Sequence, residues 1–291
     1  LGDLVGLRFT NEASFEISFE YPEALTLHPD QYNWLGLDPN DLGLADPPQV
    51  HIVLPSGLRL SISAKDVAVE QSDERIEFQN SMTKIHSSEL GERKLKGTIG
   101  IGLLRKYHVT LDLPARQLVL GAPRPVGDAA DAEAASDAIV TPFEYVGNRI
   151  QVNLNYGDGR AGRLALGGTD YDTTIDARVA APLNKPAGDV SPAWLSDATR
   201  PDRKLDLSGY VAFRPRPFGV SAAPGADSPT VIAGWNLLEY FRVDVDWNNQ
   251  RLALTEKKAP RYPQPDFEVF QAESRGQSAA MQAYLDKYPH E

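Results

Sequence analysis

One phrase occurs twice in this chain and limits what it can fold into. Residues 100–112 read G-I-G-L-L-R-K-Y-H-V-T-L-D, and residues 234–246 read G-W-N-L-L-E-Y-F-R-V-D-V-D. Gly100, Leu103, Leu104, Val109 and Asp112 fall on Gly234, Leu237, Leu238, Val243 and Asp246 at a single offset of 134 residues. Tyr107 shares its aromatic character with Phe241. A glycine, a short apolar helix and an alternating strand that ends in Asp make one supersecondary unit. Its recurrence implies a chain built from two related halves.

The rest of the sequence supports that division. With 291 residues and 42% hydrophobic content, each half can bury a core of its own. Pro123–Ser136, rich in Pro, Ala and Asp and without alternation, reads as a linker. The expected organisation is a first half over 1–122, a linker over 123–138, a second half over 139–256 and a tail over 257–291. Alternation predicts strands at Ser14–Phe19, Gln49–Leu54, Leu58–Ser63, His108–Asp112 and Gln117–Leu120 in the first half. In the second half it predicts Ile150–Asn155, Gly162–Leu166, Lys204–Leu207, Tyr210–Phe213, Arg242–Asp246 and Arg251–Leu254. Pro55-Ser56-Gly57, Gly157-Asp158-Gly159, Ser208-Gly209 and Asn248-Asn249 are the hairpin turns between them. Helix is expected near Pro29–Leu35, at Ala177–Leu183 and after the two repeated glycines. The fold class is therefore all-β, with two small barrels or sandwiches side by side. Arg214-Pro215-Arg216-Pro217-Phe218 cannot be a central strand, because alternate Pro remove ladder donors, so it reads as a loop or exposed edge. In the tail, a Pro-rich spacer over 260–265 precedes a helix at Ser278–Tyr288, with Met281, Tyr284 and Leu285 on one face.

Bulk charge and composition exclude several function classes. The net charge of −11 argues against nucleic acid. The chain has no Cys, which removes disulfides, thiolate metal sites and a Cys nucleophile. No run of about 18 apolar residues exists, so no transmembrane helix is expected. None of the five histidines has a ligand at metal spacing, and Gly97–Gly102 lacks the Lys of a phosphate loop. No cofactor or metal is implied.

Gly100 to Leu120 and Gly234 to Leu254 resemble the C-terminal signature of the retropepsin-like aspartic proteases of the pepsin clan, in the tandem two-repeat bacterial type. There the phrase runs Gly-x-hydrophobic-Leu, an aromatic, a Val-x-hydrophobic-Asp strand and an Arg-x-Leu strand. Val140-Thr141-Pro142-Phe143 through Ile150 is similar to that family's opening. The resemblance implies two half-barrels packed as a bilobed pseudo-dimer, with a cleft between them. It also implies one Asp from each half, each heading an Asp-Thr/Ser-Gly loop after an apolar strand, the pair sharing one proton and activating a water.

Those loops are degenerate here. Neither Asp-Thr-Gly nor Asp-Ser-Gly occurs in the chain. After Leu164-Ala165-Leu166, Gly167 stands where the Asp belongs, followed by Gly168, Thr169, Asp170, Tyr171 and Asp172. In the first half the position falls on Phe19 or Glu20. The expected function is a non-catalytic, aspartic-protease-like protein that binds a peptide or partner protein, a pseudoenzyme with its degenerate site at Glu20, Gly167, Gly168, Thr169, Asp170 and Asp172. One alternative is an active aspartic endopeptidase with an atypical pair, Glu20 and Asp172. Another is a structural subunit making contacts through the tail and the 184–230 loop, with Arg214, Phe218, Met281, Tyr284 and Leu285 as contact residues. Leu1 in place of Met reads as a processed start; with the export usual for the family, the expected compartment is periplasmic or extracellular.

Overall fold

Gly100 and Gly234 each end a strand and begin a helix in the same way. In the computed structural model, β6 (Leu95–Ile99) leads through Gly100 into α2 (Ile101–Leu104), and β16 (Val231–Ala233) leads through Gly234 into α4 (Trp235–Leu238). The Gly100 carbonyl accepts from the amides of Leu103 and Leu104 at 3.1 and 3.2 Å. That of Gly234 accepts from Leu237 and Leu238, both at 3.2 Å. Each helix is one turn long and buries its paired leucines. The structure describes residues 14–37, 45–54, 57, 59–72, 76–77, 95–115, 117–127, 137–146, 148–157, 159–167, 172–180, 193–211, 213–216 and 229–257.

The chain divides into two units, residues 1–106 and 107–291. The first holds β1 (Ser14–Ile17), β2 (Leu25–Leu27), α1 (Pro29–Trp34), β3 (Gln49–Val53), β4 (Arg59–Ser63), β5 (Val67–Val69), β6 and α2. Its sheet has the order β1-β6-β2-β5, and β3 and β4 form a separate hairpin. β6 is threaded between two strands that are consecutive in sequence, running parallel to β1 and antiparallel to β2. Gly57 sits in the β3–β4 turn at φ +84°, a conformation that glycine tolerates without steric cost.

The second unit holds β7 (His108–Asp112), β8 (Gln117–Gly121), β9 (Ile139–Val146), β10 (Arg149–Tyr156), β11 (Ala161–Leu166), β12 (Thr174–Asp176), α3 (Ala177–Ala180), β13 (Ala193–Ser196), β14 (Lys204–Asp206), β15 (Arg214–Arg216), β16, α4, β17 (Phe241–Asp246) and β18 (Arg251–Glu256). They form one sheet, β15-β12-β16-β11-β10-β9-β18-β17-β7-β8, with β13 on β10 and β14 on β13. The threading recurs: β16 lies between β11, parallel, and β12, antiparallel. The fold is all-β, with short helices.

The two repeated strands pair with each other. β7 runs antiparallel to β17, with Thr110 opposite Asp244, Val109 opposite Val245 and Leu111 opposite Val243. Thr110 and Asp244 are equivalent in the repeat, so a local twofold axis passes between them, and the Thr110 hydroxyl donates to the Asp244 carboxylate. Val109, Leu111, Val243 and Val245 are buried on the opposite side of the strands. The Asp that closes each repeated strand caps the following turn: Asp112 Oδ1 accepts from the Ala115 amide at 2.9 Å, and Asp246 Oδ1 from Asn249 at 3.2 Å.

Two expectations change. Of the strand expected over Tyr210–Phe213, the described residues Tyr210, Val211 and Phe213 are not in a strand, and Ser208-Gly209 is not a hairpin turn. Leu207–Gly209 forms a 3₁₀ turn whose Ser208 amide donates to Asp206 Oδ1 at 3.0 Å. Tyr210 is buried against the rings of Tyr240 and Phe241, with centroids 5.3 and 4.8 Å away. Arg214–Arg216 is a three-residue strand at one end of the sheet order, parallel to β12, a place that tolerates its Pro. Among the described residues, no helix is long and apolar enough to cross a membrane.

The closeness of α2 to the 21–24 loop gives a direct test. A Cβ on Gly102 would lie 2.6 Å from the Pro22 carbonyl oxygen, and one on Gly100 would meet the Tyr21 carbonyl oxygen at 2.5 Å. Gly121 would meet nothing nearer than 3.7 Å. Urea melts should show Gly100→Ala and Gly102→Ala each losing about 1–3 kcal/mol of stability, while Gly121→Ala stays near wild type.

Candidate functional site

The two loops that the sequence offers as a site connect the two strands that flank each threaded strand, β1 to β2 and β11 to β12. Their equivalence follows from backbone pairing. Ile17 lies opposite Ile99, and Leu166 opposite Ala233. The next amide in each half then reaches the same carbonyl, Ser18 to Ile99 and Gly167 to Ala233, both at 3.0 Å. Ser18, rather than Phe19 or Glu20, is therefore the counterpart of Gly167. On the far side, Thr26 lies opposite Thr98 and Thr174 opposite Ile232. Eight residues separate Ile17 from Thr26 and seven separate Leu166 from Thr174, so the first loop carries one residue more. That extra residue moves the register away from the one expected.

Neither position carries a carboxylate. Ser18 is fully buried, and its hydroxyl accepts from the Glu20 amide at 3.1 Å. At Gly167, a Cβ would lie 2.6 Å from the Ala233 carbonyl oxygen and 3.0 Å from Ile232 Cγ2. The backbone there is packed too closely for any side chain without a shift.

Each loop is fastened to the helix behind it, by different means. In the first half the loop's own carbonyls accept from the start of the helix: Tyr21 from Ile101 at 2.8 Å, Glu23 from Gly102 at 3.2 Å and Ala24 from Gly100 at 3.2 Å. In the second half side chains do this. The Thr173 hydroxyl accepts from the Gly234 amide at 3.1 Å and donates to Asn236 Oδ1 at 2.7 Å, and that oxygen also takes the Thr173 amide at 2.9 Å. Asn236 is the repeat counterpart of Gly102. Where the helix has no side chain, the backbone comes close; where it has an amide, the amide makes the bridge.

The structure brings two of the expected site residues together. Asp172 Oδ2 accepts from Arg214 Nη1 at 2.8 Å, an ion pair between the β11–β12 loop and β15. Glu20 is partly buried in the first loop. Gly168, Thr169, Asp170, Phe218, Met281, Tyr284 and Leu285 lie outside the described residues. Among the described residues, no cluster of His, Asp and Glu has the arrangement of a metal site. Sequence reasoning missed Thr173 and Asn236. The signal was available in part, since Asn236 falls within the repeated phrase at the position of a glycine.

Four carboxylates, those of Asp30, Asp176, Asp197 and Asp244, are held below their ordinary value of 3.8. For Asp176 the main cause is the Arg178 guanidinium, bonded at 2.5 Å. Burial opposes the charge of Asp197, but donors from Thr199 and Arg200 outweigh it. Burial likewise opposes the charge of Asp244, which is outweighed by His108, Thr110 and Arg242 around it.

No family model matches this chain, and no curated protein matches it. Among solved structures, the basic 7S globulin from soybean aligns over 73% of this chain and 67% of its own, at 11% identity and a TM-score of 0.40. The aspartic proteinase from Irpex lacteus aligns over 49% of this chain and 52% of its own, at 16% identity and a TM-score of 0.28, so this chain spans about half of its length.

Thr173→Val keeps the shape and removes the hydroxyl that joins Gly234 to Asn236. A loss of about 1–3 kcal/mol is expected in denaturant melts, because the buried Gly234 amide loses its acceptor. Lowered carboxyl values also set an acid limit. These carboxylates contribute stability fully above 3.8 and lose it as the pH falls through their depressed values. Melting temperature followed by circular dichroism should be flat down to that point and fall below it, and Asp197→Asn should shrink the fall.

Proposed function

We propose that this chain is a non-catalytic, aspartic-protease-like protein that binds extended segments of other proteins. The repeated phrase and the twice-threaded strand support a likeness to the pepsin clan that reaches both halves of the chain. The observation that carries the non-catalytic part is the packing of the two equivalent loop positions. A shared-proton dyad needs two carboxylates, one from each loop. Ser18 is buried and spends its hydroxyl on the loop backbone, and Gly167 has no space for a Cβ. Asp172, the carboxylate that could substitute, is paired with Arg214. Binding by strand addition remains open to such a scaffold, since main-chain hydrogen bonds supply the affinity.

The test uses a fluorescently labelled unfolded protein as substrate. The purified chain should retain it in a pull-down and leave it intact from acid to neutral pH. Cleavage that pepstatin blocks would overturn the proposal. Gly167→Asp separates a missing group from a missing site: it should cost about 1–3 kcal/mol of stability through overpacking and still produce no cleavage.

A further inference from the structure

The local twofold between β7 and β17 makes β8 and β18 counterparts, yet they are treated differently. β18 is flanked by β17 on one side and by β9 on the other, with Ile139 opposite Leu254, Val140 opposite Ala253, Thr141 opposite Leu252 and Pro142 opposite Arg251. Leu252, Ala253 and Leu254 are 0%, 4% and 3% exposed. Their repeat counterparts on β8 are Leu118, Val119 and Leu120. Among the described residues β8 has β7 as its one strand neighbour and closes the sheet order. Val119 is 51% exposed, and Leu118 and Leu120 are only partly covered. Val140, Ala138 and Ala253 make a buried apolar cluster at the place where β8 offers Val119 alone.

An edge of this kind is normally protected by a charge, a Pro or a bulge. Gln117-Leu118-Val119-Leu120-Gly121 has no charge and no Pro, and it pairs with β7 in unbroken register. Its chemistry is that of a strand awaiting a neighbour.

We propose that the outer edge of β8 accepts an extended segment of a partner protein, antiparallel and in the register that β9 adopts on β18. The occupant is specified by that seated example. Apolar, β-branched residues stand opposite Leu120 and Val119, as Ile139 and Val140 stand opposite Leu254 and Ala253. No charge faces Val119. The inference rests on the protein being a binder of extended segments, and it names the edge and the kind of segment.

The probe is a synthetic peptide copying residues 138–146. Hydrogen exchange read by mass spectrometry should slow across Leu118–Leu120 when the peptide is added. Fluorescence anisotropy should show saturable binding that Val119→Lys weakens at least about tenfold. Val126→Lys, at an 83% exposed residue beyond the strand, should leave binding unchanged. Circular dichroism checks that both variants fold. Equal binding to Val119→Lys and wild type overturns the proposal. So does slow exchange at Leu118–Leu120 in the free protein: a dependence on protein concentration would assign the edge to a second copy, and independence would assign it to another part of this chain. Retention of the unfolded substrate by Val119→Lys at wild-type level would remove the β8 edge and leave the binding function standing. Loss of retention by wild type would remove the function itself.

Discussion

Between β7 and β17 the chain meets its own repeat, and the order of the larger sheet is built outward from that meeting. On one side of the pair, Val109, Leu111, Val243 and Val245 are all within 5% of full burial. Each contributes about 1.5–3 kcal/mol from leaving water. On the other side Thr110 and Asp244 close the local axis with a hydrogen bond. β18 and β9 extend from β17, and β8 extends from β7. The chain leaving β8 then crosses to the β17–β18 turn, where Asn248 and Asn249 side chains hold the carbonyls of Arg124 and Pro125.

The threaded strands impose a second constraint. A strand set between two sequence neighbours forces the loop joining them to pass close to the helix that follows. Glycine at 100 and 102 admits the loop backbone in the first half, and Thr173 with Asn236 anchors it in the second. The amides at the start of α2 are thereby used by loop carbonyls, and the Gly234 amide of α4 by Thr173. The same groups that fix the loops are thereby spent within the chain.

Features governed by local chemistry were legible in the sequence. The Gly-to-Asp phrase carried over because each element has a neighbour-level reason: the glycine begins a helix, the leucines bury it, and the Asp caps its own turn. The hairpin β3–β4 and the strand pairs β7–β8 and β17–β18 followed from alternation. What escaped depended on contacts distant in sequence. β9 carries Pro142 and lacks clean alternation, because it pairs with β18 up to Pro142 and with β10 from Phe143 onward. Tyr210 alternates like a strand residue, but it is buried through ring packing against Tyr240 and Phe241. The counterpart of Gly167 was misplaced because a one-residue difference in loop length is invisible until both ends of each loop are paired.

The bond between Thr110 and Asp244 has a further consequence for identity between the repeats. Residues on a twofold axis face their own counterparts, so identical repeats would set Asp against Asp or Thr against Thr there. The first is repulsive and the second lacks a charged acceptor. A hydroxyl donor opposite a carboxylate exists only when the two strands differ. The axis thus discriminates between like and unlike strands: it rewards β7 for meeting β17 and penalises β17 for meeting another β17.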